Sequence, residues 1–404
     1  MHMGRLHDAP CRFTFQSEYA TAHLTRCSCT AVESANPKEG YMPRKVVLVA
    51  GASGLVGYAA MKHLAGNVAC EVIAVSRRRP DETFGARFVA ADLTDARACS
   101  EIFSRFGNVT HVIYAALYER PGLIAGWRDA EQIAVNDRML RNLMDPLEKA
   151  ARGLAHVCLL QGTKAYGVHV RPMKFPAREG RSEMREQPNF YWNQEDYLRE
   201  KQRGKGWCFS IFRPVLIVGY SQGSAMNLIP AIGTYAAILK EAGQPLHYPG
   251  GPPRVGQAVD ADLLARCMAW AGDATVARNE TFNVANGDVY CWQYVWPAIA
   301  DALGMAPGDE VPLSLEAEIR PREAEWALIR DKYNLVSPDL KTFVGLSFQY
   351  ADYQMGFGRT QPSPPSFSST IKLMQAGFHE VMDTEIMFVK WLRTFQEKRL
   401  LPPR

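Results

Sequence analysis

A chain of 404 residues that is 47% hydrophobic is long and apolar enough to bury a sizeable core, and its net charge is only +4. The small charge, with no Lys/Arg block interleaved with aromatics, excludes a nucleic-acid track. No apolar run reaches the roughly 18 residues that span a bilayer and no signal-peptide core is present, so a cytoplasmic globular protein without membrane contact is expected.

Residues 1–42 are polar and aperiodic and read as a tail. Cys27 and Cys29 within it form an isolated pair without further ligands, and the remaining cysteines are scattered, several in apolar runs, so neither a metal site nor a disulfide framework is expected. The first regular element is the apolar run Val46 to Ala50. It breaks at Gly51, and Gly51, Gly54 and Gly57 lead into a helical pattern through Leu64, with a second strand at Glu71 to Ser76. Strand, glycine turn, helix and strand in this order form a Rossmann half. Glycines suit it because a Cβ would obstruct the turn and the approach of a pyrophosphate to the helix N-terminus. Gly51, Ser53, Gly54, Leu55, Val56 and Gly57 are the expected cofactor turn.

The second strand ends in Ser76-Arg77-Arg78 where NAD enzymes place an acidic residue for the ribose 2′-OH. Two guanidinium groups suit a 2′-phosphate, so NADPH is expected; a plain solvated basic loop is the alternative. Arg87 to Ala91 reads as a third strand, with Asp92 and Leu93 beside the adenine. His111 to Ala116 follows as a fourth, whose small Ala115 and Ala116 let a cofactor lie across the sheet edge. A helix over Glu131 to Ala151, a strand over His156 to Gln161, a strand over Phe209 to Val218 and a helix over Ile229 to Lys240 complete a doubly wound parallel α/β sheet. Phe378 to Lys398 reads as a late amphipathic helix. The expected organisation is the tail, an NADP-binding Rossmann domain with the catalytic loop over residues 43–240, and a smaller substrate-binding lobe over 241–404, with segments that can return to the first domain.

Three constellations compete for the chemistry. Lys164, after the fifth strand, with Tyr191 could serve a carbonyl oxygen near the nicotinamide. Tyr197 and Lys201 form a YxxxK, one helical turn apart, as carbonyl reductases and epimerases or dehydratases use it. Gly219-Tyr220-Ser221-Gln222-Gly223 is a GxSxG whose Ser221 would need Asp260 or Asp262 and His379 as partners in a serine hydrolase. Glu195 and Asp196 read as first-turn carboxylates at a helix N-terminus. A non-catalytic NADP-sensing protein is the remaining alternative.

Asn189, Phe190, Tyr191, Glu195 and Asp196 resemble the NFYYxxED signature of the progesterone 5β-reductase and iridoid synthase-like family of atypical, extended short-chain dehydrogenases. GASGLVG, SRR, GTKAYG, FRPVLIVG and the stretch Ser369 to Leu392 resemble it as well. The resemblance implies NADPH-dependent reduction of the C=C bond of a small hydrophobic enone, with the family's lysine at Lys164 and its tyrosine at Tyr191. Trp192 and Ala165 depart from the plant pattern. Tyr166, Phe175, Trp192 and Met226 are the expected substrate-pocket residues; a homodimer is left open.

Overall fold

Strands β1 (Lys45–Ala50), β2 (Cys70–Ser76), β3 (Arg87–Ala90), β4 (His111–Tyr114), β5 (His156–Leu160) and β6 (Cys208–Pro214) form the centre of the computed structural model. With a last strand, Glu280–Val284, they make a seven-stranded sheet in the order Glu280–Val284, β6, β5, β4, β1, β2, β3. Every pairing in it is parallel. The structure describes residues 44–404; the expected tail and the Cys27-Cys29 pair lie outside the described residues.

A sheet covered on both faces needs strands that are apolar at every position. In β1, Val47 and Val49 join one core layer while Val46, Leu48 and Ala50 join the other. Helices Ala96–Phe103 and Ala130–Ala150 pack on the second layer through Cys99, Phe103, Leu140, Leu143 and Leu147. Helix α1 (Leu55–Ala65) and helix Ala261–Ala271 cover the first. From β1 the chain winds outward to β2 and β3, then returns to β4 on the other side. That reversal opens a crevice at the carboxyl ends of β1 and β4, where open α/β sheets bind ligands.

Several boundaries differ from the sequence expectation. The strand expected over Phe209 to Val218 is two: β6 stops at Pro214, which has no N–H for the ladder, and Leu216–Val218 pairs instead with Ala258–Asp260. The late helix spans Thr384–Glu397, because the Asp383 carboxylate accepts from Ile386 N and fixes the start there. Beyond residue 241 the chain is divided. Glu280–Val284 closes the sheet, Ala261–Ala271 lies on α1, and helix Ser347–Met355 brings Tyr350, Tyr353 and Gln354 to the crevice.

Candidate active site

A cavity of about 500 Å³ occupies the crevice. Its floor is the glycine turn. Gly51 has φ +84°, and a Cβ there would lie 2.7 Å from the Ala115 carbonyl carbon. A Cβ on Gly57 would lie 2.2 Å from Gly51 O, so only hydrogen lets α1 sit on its own turn. Gly54 caps α1 with no side-chain acceptor, and the first turn carries no acidic residue. The helix N–H groups therefore face the cavity without an internal anion, the cradle a dinucleotide pyrophosphate fits.

Of the residues expected at the cofactor, Gly51, Ser53, Gly54, Leu55, Val56, Ser76, Arg77, Arg78, Asp92, Leu93, Ala115, Ala116, Lys164 and Tyr191 all line this cavity. Gly57 does not; it acts through packing. Ser76 Oγ donates to Arg78 O at 2.7 Å and shapes the basic turn. The Arg79 guanidinium lies over the Phe88 ring, whereas Arg77 and Arg78 make no side-chain hydrogen bond or ion pair among the described residues. Two unengaged guanidinium groups at this corner are suited to a phosphate. Asp92 accepts from Thr94 N, which holds its carboxyl below the usual range.

The opposite wall carries Tyr191 and Lys164. Asn189 caps helix Phe190–Gln202, its Oδ1 accepting from Tyr191 N at 3.1 Å, and so sets Tyr191 in the first turn. Gln161 Nε2 donates to Tyr191 O, and Arg213 Nε in turn donates to Gln161 Oε1 at 2.7 Å. The Tyr191 hydroxyl itself makes no hydrogen bond to another described residue. It lies 3.2 Å from where a Cβ on Gly162 would stand, so the glycine leaves it room. Burial first, then the nearby Glu119 and Tyr350, raise its pKa, which keeps the phenol protonated. Lys164, in the turn Thr163–Tyr166, holds its ammonium 5.8 Å from the Tyr191 ring centre and 4.5 Å from that of Trp127. Its Nζ is 3.6 Å from Glu119 Oε1.

Of the four residues expected in the substrate pocket, Met226 lines this cavity and the other three do not. Tyr166 is turned away by its hydrogen bond to Asn283 Oδ1 at 2.6 Å. Trp192 follows Tyr191 by about 100° around the helix. It packs on Arg185 and donates to Gln187 O. Phe175 is 57% exposed and meets Phe367. Glu195 and Asp196 lie beyond the first helical turn, and Glu195 is a buried partner of Arg213, Arg199 and Arg185. Sequence reading missed Glu119, Trp127, Tyr350 and Tyr353, which line the cavity from segments distant in the chain.

The rival constellations are engaged elsewhere. Tyr197 OH donates to Asp145 Oδ1 at 2.7 Å, and Lys201 pairs with Asp145 and Glu148 on helix Ala130–Ala150. Neither lines the cavity. Ser221 is buried against Asn227, and no histidine hydrogen-bonds to it among the described residues. Asp260 caps helix Ala261–Ala271 and accepts from Trp391, Asp262 pairs with Lys390, and His379 is exposed.

The PRISE-like Rossmann-fold domain matches residues 92–354. A short-chain dehydrogenase of Penicillium aethiopicum is 30% identical, covering 89% of this chain and 99% of its own. The 3-oxo-Δ4,5-steroid 5β-reductase of Arabidopsis thaliana is 29% identical, covering 88% of this chain and 93% of its own. An (S)-8-oxocitronellyl enol synthase of Camptotheca acuminata is 28% identical, covering 89% and 94%. Among solved structures, UDP-glucose 4-epimerase of Thermotoga maritima superposes with a TM-score of 0.61 at 18% identity, over 87% of this chain and 99% of that one. A short-chain dehydrogenase/reductase superfamily protein of Agrobacterium tumefaciens with bound NAD gives 0.58 at 16% identity, over 88% and 98%. With the profile matching most of its length and the sheet, glycine turn and cleft in place, this chain belongs to the PRISE-like Rossmann-fold family within the short-chain dehydrogenase/reductase superfamily.

Proposed function

We propose that the protein is an NADPH-dependent reductase of alkenes conjugated to a carbonyl, with Tyr191 and Lys164 as its catalytic residues. The observation that carries this reading is a buried, protonated phenol whose hydroxyl has no hydrogen-bond partner among the described residues, in the same cavity as a helix N-terminus without a side-chain cap. The Arabidopsis relative's name describes reduction beside a 3-oxo group, and the Camptotheca relative's name describes an enol product.

NADPH, when bound, supplies a hydride to the β-carbon of the enone. The residues that would hold it are the 51–56 turn, Arg77 and Arg78 at the 2′-phosphate, and Asp92 and Leu93 at the adenine. Tyr191 donates a hydrogen bond to the carbonyl oxygen and stabilises the negative charge that develops there; it favours the enolate over the starting carbonyl, which is what lowers the barrier. The Lys164 ammonium faces Glu119 Oε1 at 3.6 Å, and its remaining N–H donors are available to ribose hydroxyls while its charge adds positive potential near that oxygen. Trp127, Phe190, Met226, Leu346 and Tyr350 make the walls apolar enough for a hydrophobic enone.

The test is NADPH oxidation over a panel of enones of graded size, repeated with Tyr191→Phe, Tyr197→Phe and NADH. Activity lost only with Tyr191→Phe supports the reading. Tight NADPH binding without turnover of any panel member would make the protein a cofactor sensor, and loss only with Tyr197→Phe would move the chemistry to the carbonyl-reductase or epimerase type.

A further inference from the structure

Glu119 is an acidic residue in the cavity wall near Lys164, on the segment that follows β4. It is built in rather than loose. Gln132 Nε2 donates to its Oε2 at 2.7 Å, while Gln132 Oε1 accepts from Arg120 N at 2.9 Å. Asn136 holds the backbone of Tyr118 from both sides, donating to its oxygen and accepting from its nitrogen, each at 2.9 Å. Gln132 and Asn136 are themselves buried. The second carboxylate oxygen, Oε1, has no hydrogen-bond partner within 3.5 Å among the described residues and faces Lys164 Nζ at 3.6 Å. The two side chains are 5% and 11% exposed, so water does little to screen them.

We propose that Glu119 is the positioning residue for Lys164: its carboxylate is the counter-ion that keeps the ammonium charged and held over the Trp127 ring. This rests on the reductase reading, which assigns Lys164 its role. Desolvation alone would push an ammonium toward the neutral amine, and an opposite charge within about 4–6 Å opposes that. The structure has both effects: burial lowers the pKa of Lys164 and raises that of Glu119, and each group partly restores the other. The other titratable groups facing Lys164 do not replace the carboxylate. His169 packs edge-on against Trp127 with neither ring nitrogen hydrogen-bonded among the described residues, and burial followed by the Lys164 charge lowers its pKa to about 4, so it is neutral. Tyr191 and, beyond it, Tyr350 are both held protonated by burial.

The experiment measures Lys164 directly. Competitive labelling with acetic anhydride across pH, read by mass spectrometry of the Lys164 peptide, gives its pKa in the wild type, Glu119→Gln and Glu119→Asp. The expected result is a pKa lower by at least about one unit in Glu119→Gln and largely restored in Glu119→Asp. The alkaline limb of the NADPH-dependent enone reduction profile should move to lower pH by the same amount. Equal Lys164 pKa values in the wild type and in a folded Glu119→Gln protein would overturn the proposal. A labelling shift in a protein that reduces no enone would support the ion-pair assignment and reject the reductase reading instead.

Discussion

Removing one oxygen atom from each of two tyrosines on the same helix should produce opposite results. The Tyr191 hydroxyl has no hydrogen bond to another described residue, so Tyr191→Phe strands no partner, and its effect on unfolding free energy should stay below the ~0.5–1.5 kcal/mol that a formed hydrogen bond contributes. If that hydroxyl is the donor to the developing enolate, its loss should lower kcat by about 10²–10³-fold, the cost of removing one oxyanion donor. Tyr197 OH, in contrast, donates to the Asp145 carboxylate at 2.7 Å, away from the cavity. A hydrogen bond to a charged acceptor contributes about 1.5–3 kcal/mol. Asp145 is half exposed and keeps Lys201, so the lower end applies to Tyr197→Phe. Urea unfolding and steady-state NADPH oxidation, run on both variants, provide the four numbers. A Tyr191→Phe enzyme that keeps more than about a third of wild-type kcat, or a Tyr197→Phe enzyme that loses kcat while keeping its stability, would refute the reasoning.

Gly57→Ala would place a Cβ 2.2 Å from Gly51 O, a backbone atom with little room to yield, so the protein should lose about 1–3 kcal/mol or more in urea unfolding together with measurable NADPH binding. Arg77→Ala and Arg78→Ala should weaken NADPH but not NADH, each on the order of tenfold by fluorescence titration, as expected for a lost charge-assisted contact to phosphate; equal losses for both nucleotides would remove the 2′-phosphate assignment. His156 is buried between strands, and its pKa is lowered to about 3 by burial first and by the neighbouring His111 next. Because Ser210 Oγ donates to Ala277 O, it accepts from His156 Nε2, which carries the proton of the neutral ring. A folded pKa below the unfolded one means this stabilisation is complete above about pH 6.5 and is lost as pH falls toward 3, by several kcal/mol in all. His156→Gln should flatten that part of the acid limb in urea titrations, and an unchanged slope would show that other groups cause it.

What the sequence determined by itself is local in origin. The uninterrupted apolar strands, the Gly51-Gly54-Gly57 turn and the pair Arg77-Arg78 can be read from neighbours within a few residues, because strand burial on two faces, a positive-φ turn and a charge cluster are each short-range requirements. The signature around Tyr191 marked that tyrosine for the same reason: Asn189, two residues before it, makes the cap that positions it. Tertiary structure decided which further groups share the cavity and which neighbours are turned away from it. Trp192 is adjacent to Tyr191 in sequence, yet the helical rotation turns it to Arg185, and Tyr166 is turned away by Asn283, which lies on the last strand. Glu119 reads as one surface acid among many until Gln132 and Asn136 fix its segment against Lys164, some 45 residues further along the chain. Tyr350 and Tyr353 reach the crevice from a helix near the carboxyl end. Such convergence depends on packing between distant segments, for which no short-range pattern in the chain carries a signal.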